Sequence, residues 1–242
     1  MTSSHRIESP YDCYHIMCRG VGRQILFEDF EDRLRMENGI KALLKDMEVE
    51  VYAWCYMDNH FHLLLKGTLN DISVFMRRLE MGYARYFNKR HDRVGVLFQG
   101  RFVSVAINSE EQLLAVVRYI HLNSLEAGVG LNNRWSSYQE YVGTPIISNT
   151  DPVMAICGSA EAFIEMHTGM HAVLSEMLDV KAVDGDGVER VSRILEGVRP
   201  YDLKALPRAE RDAALRKLKS SGMTVREIER ATSIGRNIIA RA

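Results

Sequence analysis

His60 and His62 place two imidazoles two residues apart in a stretch, Val51 to Tyr56 and then Phe61 to Lys66, that is rich in apolar and β-forming residues. Side chains alternate faces along a strand, so the two rings point one way and Phe61 points into a core. Two neutral imidazoles are borderline ligands for a divalent ion, and a hard oxygen beside them suits magnesium or manganese. Further on, Arg118-Tyr119-Ile120-His121-Leu122-Asn123 can supply that oxygen and a nucleophile. On a helix Tyr119 and Asn123 share a face at i, i+4. If that face packs against the histidines, an ion held by His60, His62 and Asn123 lies within reach of the Tyr119 hydroxyl. Acting as a Lewis acid on a phosphodiester, it would let Tyr119 attack phosphorus and become a covalent 5′-phosphotyrosine, which conserves bond energy for strand transfer or rejoining. A phenol with a free pKa of about 10 needs cations or a base nearby. Arg118 and His121 point off the tyrosine's face and are not assigned as that base. Spacing alone leaves a second reading open, in which the histidines are solvated or satisfied by hydrogen bonds and the Tyr and Asn are ordinary helix residues.

The elements that must position these groups follow from periodicity. Tyr14 to Arg19 reads as a strand ending at Gly20 and Gly22. Glu28 to Lys45 has helical spacing at Leu34, Ile40, Leu43 and Leu44. Val51 to Tyr56 and Phe61 to Lys66 form two strands across a hairpin-length connection. Leu69 to Lys89 is a second helix with Ile72, Phe75, Met76, Leu79, Tyr83 and Tyr86 on one side. Phe102 to Ile107 alternates as a further strand, and Glu110 to Leu125 is a third helix with Ser109 as its cap. The order β-α-β-β-α-β predicts an α+β fold, the ferredoxin-like split βαβ arrangement: an antiparallel sheet with helices on one face.

Beyond it, Trp135 to Gly143 reads as an aromatic closing segment, and Thr144-Pro145 with Asp151-Pro152 marks a boundary. The expected organisation is a catalytic domain over 1–143, an acidic, partly helical connector over 144–186, and a helical region over 187–242. In the connector His167 and His171 stand at i, i+4 without further metal-binding partners, which predicts a plain surface helix. From Gly187 the chain reads as short helices, with Thr224 to Thr232, Ser233-Ile234-Gly235 and Arg236 to Ala242 spaced as a helix-turn-helix. Arg236, Asn237 and Arg241 are its candidate groove readers.

Composition bounds the partners. The 242 residues are 46% hydrophobic and 26% charged, as in soluble globular proteins, and no apolar run approaches the roughly 20 residues that span a bilayer. The polar N-terminus lacks a signal peptide's apolar core, and four cysteines without a CxxC pair suit a reducing compartment, so a cytoplasmic protein without membrane partners is expected. The net charge of −1 conceals an asymmetry. Arg77 to Phe102 carries Arg77, Arg78, Arg85, Lys89, Arg90, Arg93 and Arg101 against Glu80 and Asp92, a balance of +5. Thr144 to Gly185 balances at −5, and Asp186 to Ala242 at +5. Two basic blocks flanking an acidic connector fit nucleic acid, although each alone also describes a solvated face.

Five blocks carry a family resemblance: Tyr14-His15-Ile16-Met17-Cys18-Arg19-Gly20, Asp58-Asn59-His60-Phe61-His62-Leu63-Leu64-Leu65, Gly95-Val96-Leu97-Phe98-Gln99-Gly100-Arg101-Phe102, Arg118 to Asn123, and Trp135-Ser136-Ser137-Tyr138. In this order, over residues 11 to 143, they resemble the REP-associated tyrosine transposases, prokaryotic relatives of single-tyrosine insertion-sequence transposases in the His-hydrophobic-His superfamily. The resemblance implies a ferredoxin-like enzyme that cleaves single-stranded DNA near a hairpin, needs Mg2+ or Mn2+, and attaches to the 5′ end through tyrosine. By position, His60 and His62 match its metal pair, Tyr119 its nucleophile and Asn123 its completing ligand. DNA contacts are expected from Arg77, Arg78, Arg85, Lys89, Arg90, Arg101 and Arg118, with duplex contacts from the C-terminal region and a nucleoid-associated location. The family continues after the tyrosine motif with Asn-Pro-Val and a basic residue, where this chain has Asn123-Ser124-Leu125-Glu126. A glutamate there adds negative charge near a DNA site. Relatives occur as homodimers exchanging tyrosine helices and as monomers, and the sequence chooses neither. A domesticated, non-catalytic DNA-binding regulator is the rival reading; a hydrolase of small phosphates fits the basic blocks poorly.

Overall fold

The computed structural model describes residues 7–126, 129–168, 190, 191, 193–195, 203, 206–232, 234 and 236–242. Its centre is one four-stranded sheet of β1 (Cys13–Arg19), β2 (Glu50–Met57), β3 (His60–Lys66) and β4 (Val103–Ala106) in the order β2-β3-β1-β4. Every pairing is antiparallel. This is the ferredoxin-like order predicted from the element sequence. A two-residue turn, Asp58-Asn59, joins β2 to β3, so the hairpin's tight geometry sets the register that follows.

Two helices cover one face. Asp29 caps α1 (Phe30–Leu44) by accepting from the Asp32 amide, and Thr68 caps α2 (Leu69–Arg90) by accepting from that of Asp71. Their apolar sides, including Met36, Ile40, Ile72, Phe75, Leu79 and Tyr83, bury against Ile16, Phe61, Leu63 and Leu65 of the central strands. Arg90 joins the helices, donating at 2.7 Å to Asp29 and at 2.6 Å to the fully buried Asp32.

The prediction that helices lie on one face needs correction, because α3 (Glu110–Glu126) lies on the other. The Ser124 hydroxyl lies 3.4 Å from the Cys55 sulfur on β2, and the Tyr119 ring meets that of His62 on β3. The reason is the continuous burial of β2 and β3, where Ala53, Cys55, His62 and Leu64 are as inaccessible as their neighbours. Strands buried on both sides need cover on both. Ser109 caps this helix as predicted, accepting from the Gln112 amide at 3.1 Å.

Residues 135–137 close the free edge of β2: the Tyr56 amide donates to the Trp135 carbonyl at 2.8 Å and the Ser137 amide to the Trp54 carbonyl at 2.9 Å. Three short helices follow, α4 (Tyr138–Val142), α5 (Asp151–Cys157) and α6 (Ala160–Thr168). Glu140 pins the turn after α4, its carboxylate accepting from the Trp54 indole and from the amides of Ile146, Ile147 and Ser148. Both α5 and α6, within the stretch read as connector, contact α3.

The chain divides into two compact units, Met1–Asp179 and Val180–Ala242. In the second, α7 (Arg208–Ser220), α8 (Val225–Thr232) and α9 (Arg236–Arg241) surround a core that includes Leu215, Leu218, Ile228, Ala231 and Ile239. A capping box starts α8: the Glu227 amide donates to the Thr224 hydroxyl oxygen and the Thr224 amide to the Glu227 carboxylate. Among the described residues no helix is long and apolar enough to cross a membrane.

Candidate active site

The face of the sheet under α3 carries the predicted chemistry. In the β1–β3 pairing Arg19 stands opposite His60 and Met17 opposite His62, so His15, Met17 and Arg19 share a face with both histidines. The rings of His60 and His62 meet edge to face with centroids 5.1 Å apart. Tyr119 reaches them from α3 of the same chain, its ring centroid 5.5 Å from His62 and 5.7 Å from His15, both edge-on. Asn123, one turn on, is buried, and its side-chain amide donates to the Tyr119 carbonyl at 2.8 Å. That bond consumes a donor and leaves the amide oxygen as the ligand-competent atom.

Hydrogen bonding and burial hold the imidazoles as neutral bases. The Nδ1 of His60 pairs with the Asn59 side-chain oxygen at 2.7 Å, which places its proton on Nδ1 and a lone pair on Nε2. The Nδ1 of His62 lies 2.9 Å from the Nε2 of His15, and the Nε2 of His62 is buried with no hydrogen-bond partner. Burial, reinforced by the charges of Arg19 and Arg23, lowers the His60 pKa to about 3. Burial also holds His62 well below its ordinary range and His15 at about 4. A deprotonated pair with open Nε2 atoms is the state a divalent ion requires. Among the described residues no group of three or more His, Cys, Asp or Glu is arranged to hold an ion.

Sequence reasoning assigned no role to His15, Arg19 and Arg23, and strand alternation over Cys13, His15, Met17 and Arg19 was the available signal. It decides nothing until β1 is known to pair with β3. Arg23 arrives through a tight turn. The Gly20 amide donates to the Asn59 carbonyl at 2.9 Å, and a Cβ at Gly20 would overlap the carbonyl oxygen of Gln24. Ser124, where the resembled family has proline, accepts from the Asn133 side-chain amide at 3.0 Å and ties the end of α3 to the following loop. The Glu126 side chain lies outside the described residues.

His121 faces away from Tyr119, as its helix position requires. Its Nδ1 lies 2.9 Å from the Nε2 of His167 and its Nε2 lies 2.8 Å from the Ser137 hydroxyl. His167 is therefore a buried residue and not part of a plain surface helix, because α6 docks on α3 through it. His171 lies outside the described residues.

The basic residues divide by location. Arg77, Arg78, Arg85 and Lys89 are exposed on α2, on the sheet face opposite Tyr119. Arg90 is occupied by Asp29 and Asp32. Arg118 is half-buried and acts electrostatically on His167. Arg101 is exposed two residues after Gln99, whose amide donates to the Arg19 carbonyl at 2.8 Å, so it lies near the site's rim. Arg241 is exposed on α9, whereas the side chains of Arg236 and Asn237 lie outside the described residues.

Residues 11–123 match the model of the family described as IS200-like transposase. The structure of a REP-associated tyrosine transposase bound to a REP hairpin aligns at a TM-score of 0.51 with 17% identity, covering 59% of this chain and 86% of that one. A crystal structure of a protein from Deinococcus radiodurans R1 assigned as a transposase aligns with 19% identity over 50% of this chain and 94% of that one, at a TM-score of 0.35, too low to compare folds. A search of curated proteins finds no match. The matched segment holds β1 through most of α3, and with them both histidines, Tyr119 and Asn123: over it the chain is similar to the IS200-like transposases.

Proposed function

We propose that the protein is a metal-dependent single-stranded DNA endonuclease and strand transferase that works through a covalent 5′-phosphotyrosine at Tyr119, at hairpin-forming repeats. The observation that carries this is the convergence, within one chain, of the Tyr119 ring on the rings of His15 and His62, beside the open Nε2 of His62. His60 and His62, with the Asn123 amide oxygen, are the residues that would hold Mg2+ or Mn2+. Bound there, the ion would supply Lewis-acid stabilisation of charge developing on a phosphodiester. Burial keeps both imidazoles in the form that binds it.

Tyr119 attacks phosphorus; the P–O bond to the 3′ oxygen of the departing strand breaks, and the phosphoryl stays on the phenol oxygen. Energy conserved in that ester lets a later 3′ hydroxyl displace the tyrosine and rejoin a strand. Arg19 and Arg23, whose charges act on His60, would help neutralise a phosphate backbone crossing the site. The REP-hairpin complex of the structural relative supports hairpin DNA as the partner class. The second unit, with its capped α8 followed by α9, is the candidate helix-turn-helix for duplex DNA, contacting it through Arg236, Asn237 and Arg241.

The test is incubation of the full chain with hairpin-bearing single-stranded DNA and Mg2+ or Mn2+, scored for a protein–DNA adduct that survives denaturation. Wild type is expected to form the adduct, and Tyr119→Phe to form none while binding the same DNA with unchanged affinity. An adduct with Tyr119→Phe would reject Tyr119 as the nucleophile. Wild type that binds without cleaving would favour the non-catalytic regulator.

A further inference from the structure

His15 is a buried histidine to which neither the cleavage step nor the metal set gives a role, and its surroundings are unusual. It sits on β1, the strand beside the His60/His62 strand, and is only 3% exposed. Its ring lies nearly parallel to that of His62, with centroids 5.2 Å apart and planes 21° apart, and its Nε2 is 2.9 Å from the Nδ1 of His62. Two neutral imidazoles at that distance share one proton in the contact. Either His15 donates and His62 carries its own proton on Nε2, or His62 donates and its Nε2 holds a lone pair. Only the second arrangement lets His62 bind a cation. His60 offers the parallel case, since an acceptor oxygen of Asn59 fixes its Nδ1 proton. A carboxylate or carbonyl commonly plays this part behind a metal-binding imidazole. Among the described residues the Nδ1 of His62 has no such oxygen and has His15 instead.

We propose that His15 is a positioning residue: its Nε2 accepts the Nδ1 proton of His62 and so fixes the tautomer and ring orientation that aim the His62 Nε2 lone pair at the divalent ion. The inference rests on His60 and His62 being the metal pair. Because the Nε2 of His15 is used in this contact, His15 is not itself a third ligand.

The experiment measures Mn2+ binding to the full chain without DNA, by the loss of the free-ion paramagnetic resonance signal, in wild type, His62→Ala, His15→Leu and His15→Gln. Leucine removes the acceptor at similar volume, whereas glutamine can offer an amide oxygen near the position of the imidazole Nε2. Wild type is expected to bind and His62→Ala to lose binding. His15→Leu should bind about 10- to 100-fold more weakly and His15→Gln within a few-fold of wild type. Rescue by glutamine separates positioning from packing, since a packing role would make affinity follow thermal stability in both variants.

Nitrogen-15 NMR of the wild-type imidazoles reads the tautomer directly and does not depend on any variant folding; the His62 proton is expected on Nδ1. A proton found on its Nε2 overturns the proposal. So does wild-type affinity in His15→Leu when His62→Ala has lost binding, and that outcome leaves the metal reading intact. Equal affinity in wild type and His62→Ala overturns the metal reading and this proposal with it.

Discussion

Arg23 is the residue at which the site strains its own backbone. Its φ is 61°, directly after Gly22 at 59°, a left-handed pair in which only the glycine is free of Cβ strain. A non-glycine residue held there costs on the order of 1 kcal/mol and persists where its surroundings fix it. Here they do: the Val21 amide donates to the Leu97 carbonyl at 2.9 Å, and the amides of Leu26 and Phe27 both donate to the Asp58 carbonyl. The conformation brings a guanidinium charge close enough to add, after burial and Arg19, to the lowering of the His60 pKa. Arg23→Gly should therefore separate stability from function. Relief of strain offsets the lost side-chain contacts, so the unfolding midpoint is expected to move by less than about 1 kcal/mol equivalent. Single-stranded DNA affinity should fall several-fold, and the slope of log affinity against log salt should decrease by about one. Fluorescence anisotropy across a salt series measures both, and an unchanged slope would show that Arg23 meets no phosphate.

At the scale of elements, α3 has two working faces. One carries Tyr119 and Asn123; the other carries His121, through which α6 docks. Protons order that junction: the Nδ1 of His167 donates to the Phe163 carbonyl at 2.8 Å, so its Nε2 accepts from the Nδ1 of His121, whose Nε2 faces the Ser137 hydroxyl. The His167 ring must stay neutral for this chain of bonds to exist, because a proton on its Nε2 would face the Nδ1 proton of His121. Burial lowers His167 to about 4, with Arg118 adding to the effect, and burial and His167 hold His121 well below its ordinary range. The unfolded chain, with histidines near 6.5, then binds more protons than the folded one between about pH 6.5 and 4, and stability falls as pH drops through that window. His167 alone accounts for roughly 3 kcal/mol by pH 4. In urea titrations at pH 7.5 and 5, His167→Phe should show a smaller loss than wild type. His15, His60 and His62, depressed in the same sense, leave it a residual slope. An identical loss in both proteins would mean the junction does not titrate. The Tyr119 and Asn123 face was legible in the sequence because i, i+4 spacing is local. The His121–His167 junction was not, because it depends on how a later helix packs. The same limit hid His15, whose alternation along β1 is plain but whose partner on β3 is set by strand order.

Across the molecule, the β-α-β-β-α-β order and its antiparallel sheet were readable because each element announces itself by period and cap, whereas the placement of α3 on the second sheet face was not. Charge counting found the basic block at Arg77 to Phe102 without finding that Arg77, Arg78, Arg85 and Lys89 lie on the face away from Tyr119. Helical period puts apolar residues toward a core and says nothing of which side of a sheet the core lies on. The two compact units also have separate cores: the first is built around Phe61, Leu63 and Phe75, the second around Leu215, Leu218 and Ile228. Separate cores predict separate cooperative transitions. Leu218→Ala, at a fully buried position of α7, should cost the second unit about 2–5 kcal/mol. Calorimetry of the full chain is expected to show one transition moved down and the other held. If cleavage belongs to the first unit and duplex binding to the second, adduct formation on hairpin-bearing single strands should persist in Leu218→Ala at a temperature between the two transitions. Duplex affinity should collapse at that temperature. Loss of both activities together would show that strand cutting needs the second unit folded, and persistence of duplex binding would place that contact in the first unit, on the exposed basic side of α2.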